Sequence, residues 1–415
     1  MNFPLANRIK RNRFYALARE IKWEVEKSVA RDQRQRFRVV SLVPRQPSRG
    51  TALLSRINRA FLLQPGEPIP ETHQNSWEAY QMALVFLDLG LAVDVIDYSN
   101  NIFLPSKDYS IFVDAKTNME RIGPLLNKEC IKVFHAVTAH PLFQNAAELR
   151  RLLELQQRRG ILLKPRRQDP LNWGIEHADC ATILGNGFAR NTYSYANKTL
   201  YRVPLAVPTT YPWPYDKDFA QARKRFLFLS GEGMVHKGLD RILEAFAAMP
   251  EYSLTVCGPI EKERDFVQAY RKELYETENI RAAGWVDVKS ERFKEMANGC
   301  AGLIHASCSE SGCASVITAM HAALIPIVSY ESSVDIDPSY GIVLTSSSIE
   351  EIRQAVRSIA GSSAARLEHL ARASWEYARE NHSQEAFLSK YKQVISQILA
   401  GTGKGYAQAA TKVCT

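Results

Sequence analysis

Two turns in the second half of the chain combine small residues with one charged side chain. The first, residues 230–238, is glycine-rich, follows a short apolar run and carries Lys237 near its end. Glycines let a backbone approach a phosphate closely, and a lysine adds positive charge where a helix begins. The second, residues 307–313, follows another apolar run and contains Glu310, whose carboxylate can accept hydrogen bonds from sugar or ribose hydroxyls. We therefore expect both turns at the ligand-binding edge of a parallel sheet.

Each turn also has an ordinary explanation. A strand–loop–helix connection needs only a helix cap, which Ser309 or Ser311 would supply. Glycines are common in tight turns that bind nothing, and the first turn lacks the Gly-Lys-Ser/Thr ending of a Walker A loop. The two turns together, rather than either one alone, favour a ligand site.

Two histidines, His135 and His140, flank the end of a predicted strand in the first half. A histidine there could contact a substrate hydroxyl across a cleft between domains. The alternative is a structural histidine satisfied by its neighbours. Polar candidates for a second ligand also occur at a helix start and in a basic run: His73, Asn75, Arg166 and Arg167. Helix capping and a solvated basic surface are the simpler explanations for these four.

The elements that must position these residues follow from the alternation of short apolar runs with amphipathic segments, which indicates parallel sheets covered on both faces. Strands are predicted at residues 37–44, 92–98, 110–114, 131–136, 180–184, 199–203, 225–229, 253–257, 280–283, 301–306, 325–329 and 342–344. Helices are predicted at residues 77–89, 146–159, 239–249, 314–324, 348–360, 364–381 and 383–399. Ser76 is the predicted N-cap of the first helix and Gly90 its C-cap. Residues 45–72 are predicted to form a long loop bearing proline and arginine.

Length and composition set the class of protein. At 415 residues the chain exceeds one typical core, so two domains are expected. The seven cysteines include no Cys-x-x-Cys pair and no His/Cys cluster at zinc spacing, so we expect neither a disulfide framework nor a metal site. No signal peptide and no apolar run of about 18 residues is present, and we expect a cytoplasmic protein.

The net charge of +9 is concentrated at the start of the chain. Residues 1–38 contain eleven Lys/Arg and four Asp/Glu, a difference of +7, so the remainder is close to neutral. A general nucleic-acid surface is therefore not expected. The same segment has apolar residues at helical spacing. Such a basic helix either contacts the anionic inner face of a membrane or packs on the protein's own core, and both interpretations stay open.

The second half resembles the retaining GT-B glycosyltransferases of family 4. The resemblance rests on Lys237-Gly238, on Glu310-Ser311-Gly312 and on the helix that follows at residues 316–320. It covers residues 226–381 well and the first half more loosely. It implies an α/β GT-B fold of two facing Rossmann-like domains with parallel sheets and a C-terminal helix crossing back.

Charge, spacing and the resemblance together divide the chain into segments. Residues 1–36 are the basic amphipathic helix, residues 37–212 the N-terminal acceptor-side domain and residues 213–382 the C-terminal domain that binds a nucleotide sugar. Residues 383–400 are the crossover helix and residues 401–415 a flexible tail. The boundary near residue 212 agrees with two closely spaced prolines, Pro212 and Pro214, which favour a linker.

The resemblance implies roles for individual residues. Lys237 would contact the donor diphosphate, Glu310 the hydroxyls of the transferred sugar, and His140, in preference to His135, would lie near the anomeric carbon. The leaving diphosphate would be stabilised by Lys237 and a helix N-terminus without a metal or other cofactor. The UDP- or GDP-linked sugar would be a substrate. The implied donor site consists of Gly231, Gly233, Lys237, Gly258, Trp285, Val286, Ser311, Gly312, Cys313 and Thr318.

Two positions depart from the family pattern. The second glutamate of the family, eight positions after the first, is Thr318 here, and that glutamate usually contacts the ribose. The arginine often found beside the first glycine of the donor loop is Glu232, whose charge would repel a diphosphate unless turned away.

The sequence thus predicts a glycosyltransferase that moves a sugar from a nucleotide diphosphate to a saccharide or lipid-linked acceptor with retention, in polysaccharide or glycan biosynthesis. Two alternatives share the fold. One is a sugar-nucleotide epimerase or phosphorylase, and the other is a binding protein that has lost donor chemistry.

Overall fold

The computed structural model describes residues 35–63 and 74–401. The helix predicted at residues 1–36 and the tail predicted at residues 401–415 lie outside the described residues except at their inner ends. His73 also lies outside them. Within these ranges the chain forms two sheets, each flanked by helices.

The first sheet has seven strands in the order β1-β3-β2-β4-β5-β6-β7. The strands are β1 (Val40–Leu42), β2 (Thr51–Arg56), β3 (Ala92–Asp97), β4 (Ile111–Asp114), β5 (Ile131–Ala136), β6 (Cys180–Leu184) and β7 (Thr199–Val203). All neighbours pair in parallel except β1, which is antiparallel to β3. Every residue of β4 and β6 is buried, because helices cover both faces of the sheet. This explains why these strands are continuous apolar runs.

The helices of the first half are α1 (Gln74–Asp88), α2 (Asn118–Ile122), α3 (Pro141–Arg159) and α4 (Gly187–Thr192). Helix α1 already includes Gln74, so the prediction that Ser76 caps it is wrong. Ser76 is buried within the first turn. The C-cap prediction is confirmed, because Gly90 has φ +80° and its N–H donates to Leu87 O.

Strand β2 lies inside the region predicted to be a loop, and that prediction is wrong. Its Ala-Leu-Leu core lacks the β-branched residues that mark a strand, and proline and arginine surround it. The strand nevertheless pairs with both β3 and β4. At its end the buried Arg56 forms an ion pair with Glu78 of α1. That partner is distant in sequence, so the local pattern does not reveal a buried arginine.

The second sheet has six parallel strands in the order β10-β9-β8-β11-β12-β13. The strands are β8 (Arg225–Leu229), β9 (Ser253–Cys257), β10 (Ile280–Gly284), β11 (Gly302–His305), β12 (Ile325–Ser329) and β13 (Ile342–Leu344). The helices are α5 (Phe219–Ala222), α6 (Leu239–Ala247), α7 (Arg264–Ala269), α8 (Arg271–Tyr275), α9 (Glu291–Asn298), α10 (Ala314–His321), α11 (Ile349–Ala360) and α12 (Ala364–Asn381).

The last helix, α13 (Gln384–Gly401), returns to the first sheet and packs on α1 and β7, which confirms the predicted crossover. Its Phe387 ring lies 5.6 Å from that of Trp77, and its Tyr391 ring meets Phe86 edge-on at 6.4 Å. Both α13 residues are fully buried. The apolar face of this helix therefore completes the core beneath α1.

Candidate active site

The two ligand-type turns meet at the point where the second sheet changes direction. Strands β8 and β11 are neighbours, while the chain leaves β8 towards β9 on one side and β11 towards β12 on the other. In open α/β sheets such a switch point opens a crevice at the carboxyl ends of the strands. Gly238 has φ +79°, and a Cβ there would lie 2.4 Å from Ala306 O. A glycine is therefore required for the turns to approach this closely.

A buried ion pair joins the turns. Lys237 Nζ contacts Glu310 Oε1, which also accepts a hydrogen bond of 2.9 Å from Ser307 Oγ. His236 Nε2 donates to Ser309 O over 2.7 Å and fixes the backbone beside the glutamate. Among the described residues no donor is recorded for the second carboxylate oxygen, Glu310 Oε2. The glutamate is thus held through one oxygen and has the other available.

The charges of this cluster are set by burial and by neighbours. Burial alone raises the pKa of the Glu310 carboxyl, but the positive charges of Lys237 and Arg167 outweigh it and lower that pKa to about 2. Burial lowers the pKa of His236 to about 4. At neutral pH Glu310 is therefore a carboxylate that accepts hydrogen bonds, and His236 is a neutral donor.

A cleft of about 760 Å³ lies beside this cluster, between the two domains. It brings together predicted donor residues from three turns and one helix: Gly231, Gly258, Trp285, Val286 and Thr318. The start of helix α10 borders it through Ala314 and Ser315. Because the first N–H groups of a helix lack intrahelical partners, this end favours an anion. The first domain contributes Gln74 and Arg167 to the same cleft.

Other predicted donor residues sit on the same turns but do not border the cleft: Gly233, Lys237, Ser311, Gly312 and Cys313. Ser311 is turned to the first domain, where its Oγ donates to Ala136 O over 3.4 Å. Gly233 packs beneath the side chain of Arg167. The N–H groups of Gly233 and Met234 donate to the buried Glu263 carboxylate, at 2.5 Å and 3.2 Å. These amides are therefore occupied by the protein itself.

His135 lies in an internal network of the first domain rather than on the cleft. Its Nδ1 is 2.7 Å from Thr182 Oγ1 and its Nε2 is 3.1 Å from Glu78 Oε1. The side chain is fully buried, and burial lowers its pKa. Both ring nitrogens have protein partners, which matches the structural alternative considered for this residue.

His140 caps helix α3 and faces a different groove. Its Nδ1 accepts from Leu142 N, and its Nε2 lies 2.9 Å from Tyr195 Oη, which donates to Glu176 Oε1 over 2.7 Å. The groove measures about 620 Å³ and includes the exposed Trp173. The structure therefore does not bring His140 together with Glu310 in one cavity.

The predicted acceptor residues are also separated. Asn75 is exposed on the first turn of α1. Arg166 forms an ion pair with Asp265 of the second domain, and its backbone N–H donates to Glu148 Oε1 over 2.8 Å. Arg167, by contrast, reaches the cleft on the donor side.

Sequence reasoning missed a lysine that forms an ion pair with Glu232. Lys262 Nζ lies 2.7 Å from Glu232 Oε1, and both residues border the cleft. Lys262 follows Gly258-Pro259 in a run of alternating charges with no motif to distinguish it. Glu263, which fixes the glycine-rich turn, lay in the same run and was missed for the same reason.

Solved structures show the same two-domain arrangement. Sucrose-phosphate synthase from Thermosynechococcus elongatus is similar with a TM-score of 0.57 and 13% identity, over 85% of this chain and 100% of that one. HepE from Anabaena, in complex with UDP and glucose, gives a TM-score of 0.52 and 10% identity over the same shares. The fold is GT-B.

Further matches concern parts of the GT-B chain. Residues 215–374 match the family model described as glycosyl transferases group 1, and both turns lie within this range. The match to TarM from S. aureus has a TM-score of 0.49 and 12% identity, and covers 68% of this chain but 55% of TarM. None of the curated proteins is significantly similar in sequence.

Two features are absent from the described residues. None of the helices in residues 35–63 and 74–401 combines the length and apolarity needed to cross a bilayer. The same ranges contain no group of three or more His, Cys, Asp or Glu arranged to hold a metal ion.

Proposed function

We propose that this protein is a retaining glycosyltransferase of family 4. It would move a sugar from a UDP- or GDP-linked donor to a saccharide or lipid-linked acceptor in polysaccharide or glycan biosynthesis. One observation carries the proposal: Glu310 is fixed by Lys237 at the switch point of the second sheet, where neighbouring turns and the start of α10 line a cleft of about 760 Å³. A cleft of this size accommodates a nucleotide sugar.

Different residues would contact different parts of the donor. Glu310, ionised at neutral pH, accepts hydrogen bonds from hydroxyls of the transferred sugar through Oε2. Trp285 and the backbone at Val286, which border the cleft, would contact the base. Thr318, in place of the family's second glutamate, offers a hydroxyl to the ribose, which is a weaker acceptor than a carboxylate. We expect nucleotide affinity to be modest for this reason.

Departure of the diphosphate is the step that needs positive charge. The bond from the anomeric carbon to the diphosphate oxygen breaks while the acceptor oxygen bonds to that carbon on the same face. Lys237 and the start of α10 stabilise the negative charge that develops. In this proposal no bound metal is needed for that step.

The location follows from the acceptor. A lipid-linked acceptor would bring a cytoplasmic enzyme to the inner face of a membrane. The basic segment at residues 1–36 would then contact anionic lipid.

Incubation of the purified protein with a panel of UDP- and GDP-sugars and acceptor extracts tests the proposal. We expect release of one nucleoside diphosphate that depends on acceptor, and a product that keeps the anomeric configuration of the donor. Neither nucleotide release nor donor binding in calorimetry would refute it. Epimerised free donor, or cleavage that requires phosphate, would instead identify the epimerase or phosphorylase alternative.

A binding protein without transfer activity is the second candidate, and Thr318 on the wall of the cleft favours it. Such a protein would bind sugar or acceptor without releasing nucleotide. Calorimetry with nucleoside diphosphates separates the two, because only the transferase requires a diphosphate site.

A further inference from the structure

Arg167 belongs to a loop of the first domain that both domains hold in place. The loop leaves helix α3 at Gly160, and Lys164 N donates to Asp265 Oδ2 of the second domain over 3.0 Å. Further along the loop, Arg167 N donates to Glu148 Oε1 of helix α3 over 2.9 Å. Gln144 Nε2 donates to Arg167 O over 2.9 Å. The backbone of Arg167 is therefore fixed before any ligand binds.

The side chain of Arg167 extends over the glycine-rich turn of the second domain. A Cβ built at Gly233 would lie 2.6 Å from Arg167 Cγ, so only a glycine leaves room for this contact. Arg167 borders the cleft together with Gly231 and Thr318. The positive charge of Arg167 also lowers the pKa values of Glu310 and His236.

Among the residues that the structure describes, none accepts a hydrogen bond from the Arg167 guanidinium. Arg167 Nε is buried without a hydrogen-bond partner, and within the described ranges no ion pair of this side chain is recorded. The nearby carboxylates are engaged: Glu310 by Lys237, Glu232 by Lys262, and Glu263 by backbone amides. A buried donor without an acceptor costs free energy, which an anionic ligand would remove.

We propose that Arg167 binds the diphosphate of the donor, so that the first domain supplies the arginine that the second domain lacks at Glu232. This inference rests on the proposed function. A guanidinium can hold two phosphate oxygens with parallel N–H donors in a fixed planar fork, a geometry that a lysine ammonium does not offer. Donor binding then links the two domains, because the phosphate would lie between Arg167 of the first domain and the start of α10 of the second, which both border the cleft.

Calorimetry with UDP, GDP, UMP and GMP on matched variants tests this. Arg167→Gln is expected to weaken nucleoside diphosphate binding about 10- to 100-fold, the range of charge-assisted hydrogen bonds, with a smaller effect on the monophosphates. Arg166→Gln is the control, because Arg166 is paired with Asp265 and does not border the cleft. It should remain within about threefold of the wild type.

Arg167→Lys keeps the positive charge but lacks the planar pair of N–H donors. If Arg167→Gln does not fold, Arg167→Lys alone provides the test. It is expected to bind diphosphate about fivefold more weakly than the wild type. Wild-type affinity in the folded Arg167 variants overturns the inference and leaves the proposed function standing. A wild-type protein that binds no nucleoside diphosphate overturns both.

Discussion

The Glu310 carboxylate contacts a buried lysine with one oxygen, and no donor to the other is recorded among the described residues. Its stability role and its proposed sugar contact are therefore combined in one side chain. A loop glutamate considered from sequence alone would be expected to be removable with little effect on folding. The ion pair with Lys237 changes that expectation, since removing one partner leaves a buried charge alone.

Glu310→Gln is predicted to abolish transfer and to lower the free energy of unfolding by about 3 kcal/mol. The contribution has a defined pH range. The folded pKa of about 2 lies below the ordinary value of 4.5, so the stabilisation is fully present above pH 4.5 and is lost as the pH falls towards 2. Urea unfolding at pH 7 and at lower pH measures the loss of stability and its dependence on pH.

The double variant Lys237→Met/Glu310→Gln separates stability from activity. With no charge left unpaired, it should recover most of the lost stability and remain inactive. A double variant no more stable than Glu310→Gln would show that the ion pair is not the cause.

The approach of the two turns depends on one glycine. Gly238→Ala is predicted to lower the free energy of unfolding by about 1–3 kcal/mol, because it combines a positive φ with a Cβ 2.4 Å from Ala306 O. Gly231→Ala is the matched control, since a Cβ there meets nothing within 4 Å and its φ is not in the left-handed region. Thermal unfolding of both variants makes the comparison, and equal melting temperatures would contradict the prediction.

Local sequence pattern was sufficient for strands that are short apolar runs. Strands β5, β6, β8, β9 and β12 have the predicted bounds, because burial on both faces demands a continuous apolar segment. Strand β2 was missed because its central alanine and leucines are neutral to strand formation and its buried arginine is neutralised by a distant glutamate. A pattern within one segment carries no information about such a partner.

The candidate site shows the same division. The turn residues Lys237 and Glu310 were identified together because each follows a strand, and the sheet order then makes them neighbours. Arg167 and Lys262 reach the cleft through loop paths that no motif encodes. His135 had the expected position in its strand, but whether a ring points to a cleft or into a core depends on packing.

At the scale of the whole molecule, the two domains are in contact in this conformation. Asn186 Nδ2, on the first domain, donates to Val334 O of the second over 3.4 Å, and Asn186 N donates to Ser333 Oγ over 3.1 Å. Further along the interface Arg158 pairs with Asp240 over 2.7 Å. The cleft is therefore bordered by both domains, and a ligand there contacts both.

Phe387→Ala is predicted to lower the free energy of unfolding by about 3–5 kcal/mol and to loosen α1. It removes a fully buried ring that stacks on Tyr391 and lies 5.6 Å from Trp77. Hydrogen exchange along Gln74–Asp88, together with chemical unfolding, measures the effect. Lys390→Ala is the control at an exposed position of the same helix. An equal loss of stability in both variants would contradict the prediction that the buried Phe387 ring is the cause.

Helix α13 also determines when the first domain can finish folding during synthesis. The strands of the first sheet leave the ribosome early, but the aromatic rings of α13 that cover α1 are translated only after the second domain. Until then the apolar surface at Trp77 and Phe86 remains open to solvent, a situation in which nascent chains aggregate or bind chaperones. One apolar cluster consists mostly of second-domain residues, joined by Leu152, Leu155 and Leu163 of the first domain, and can form in the meantime. The order of translation and the order of folding thus differ: the first domain made is the last to be completed.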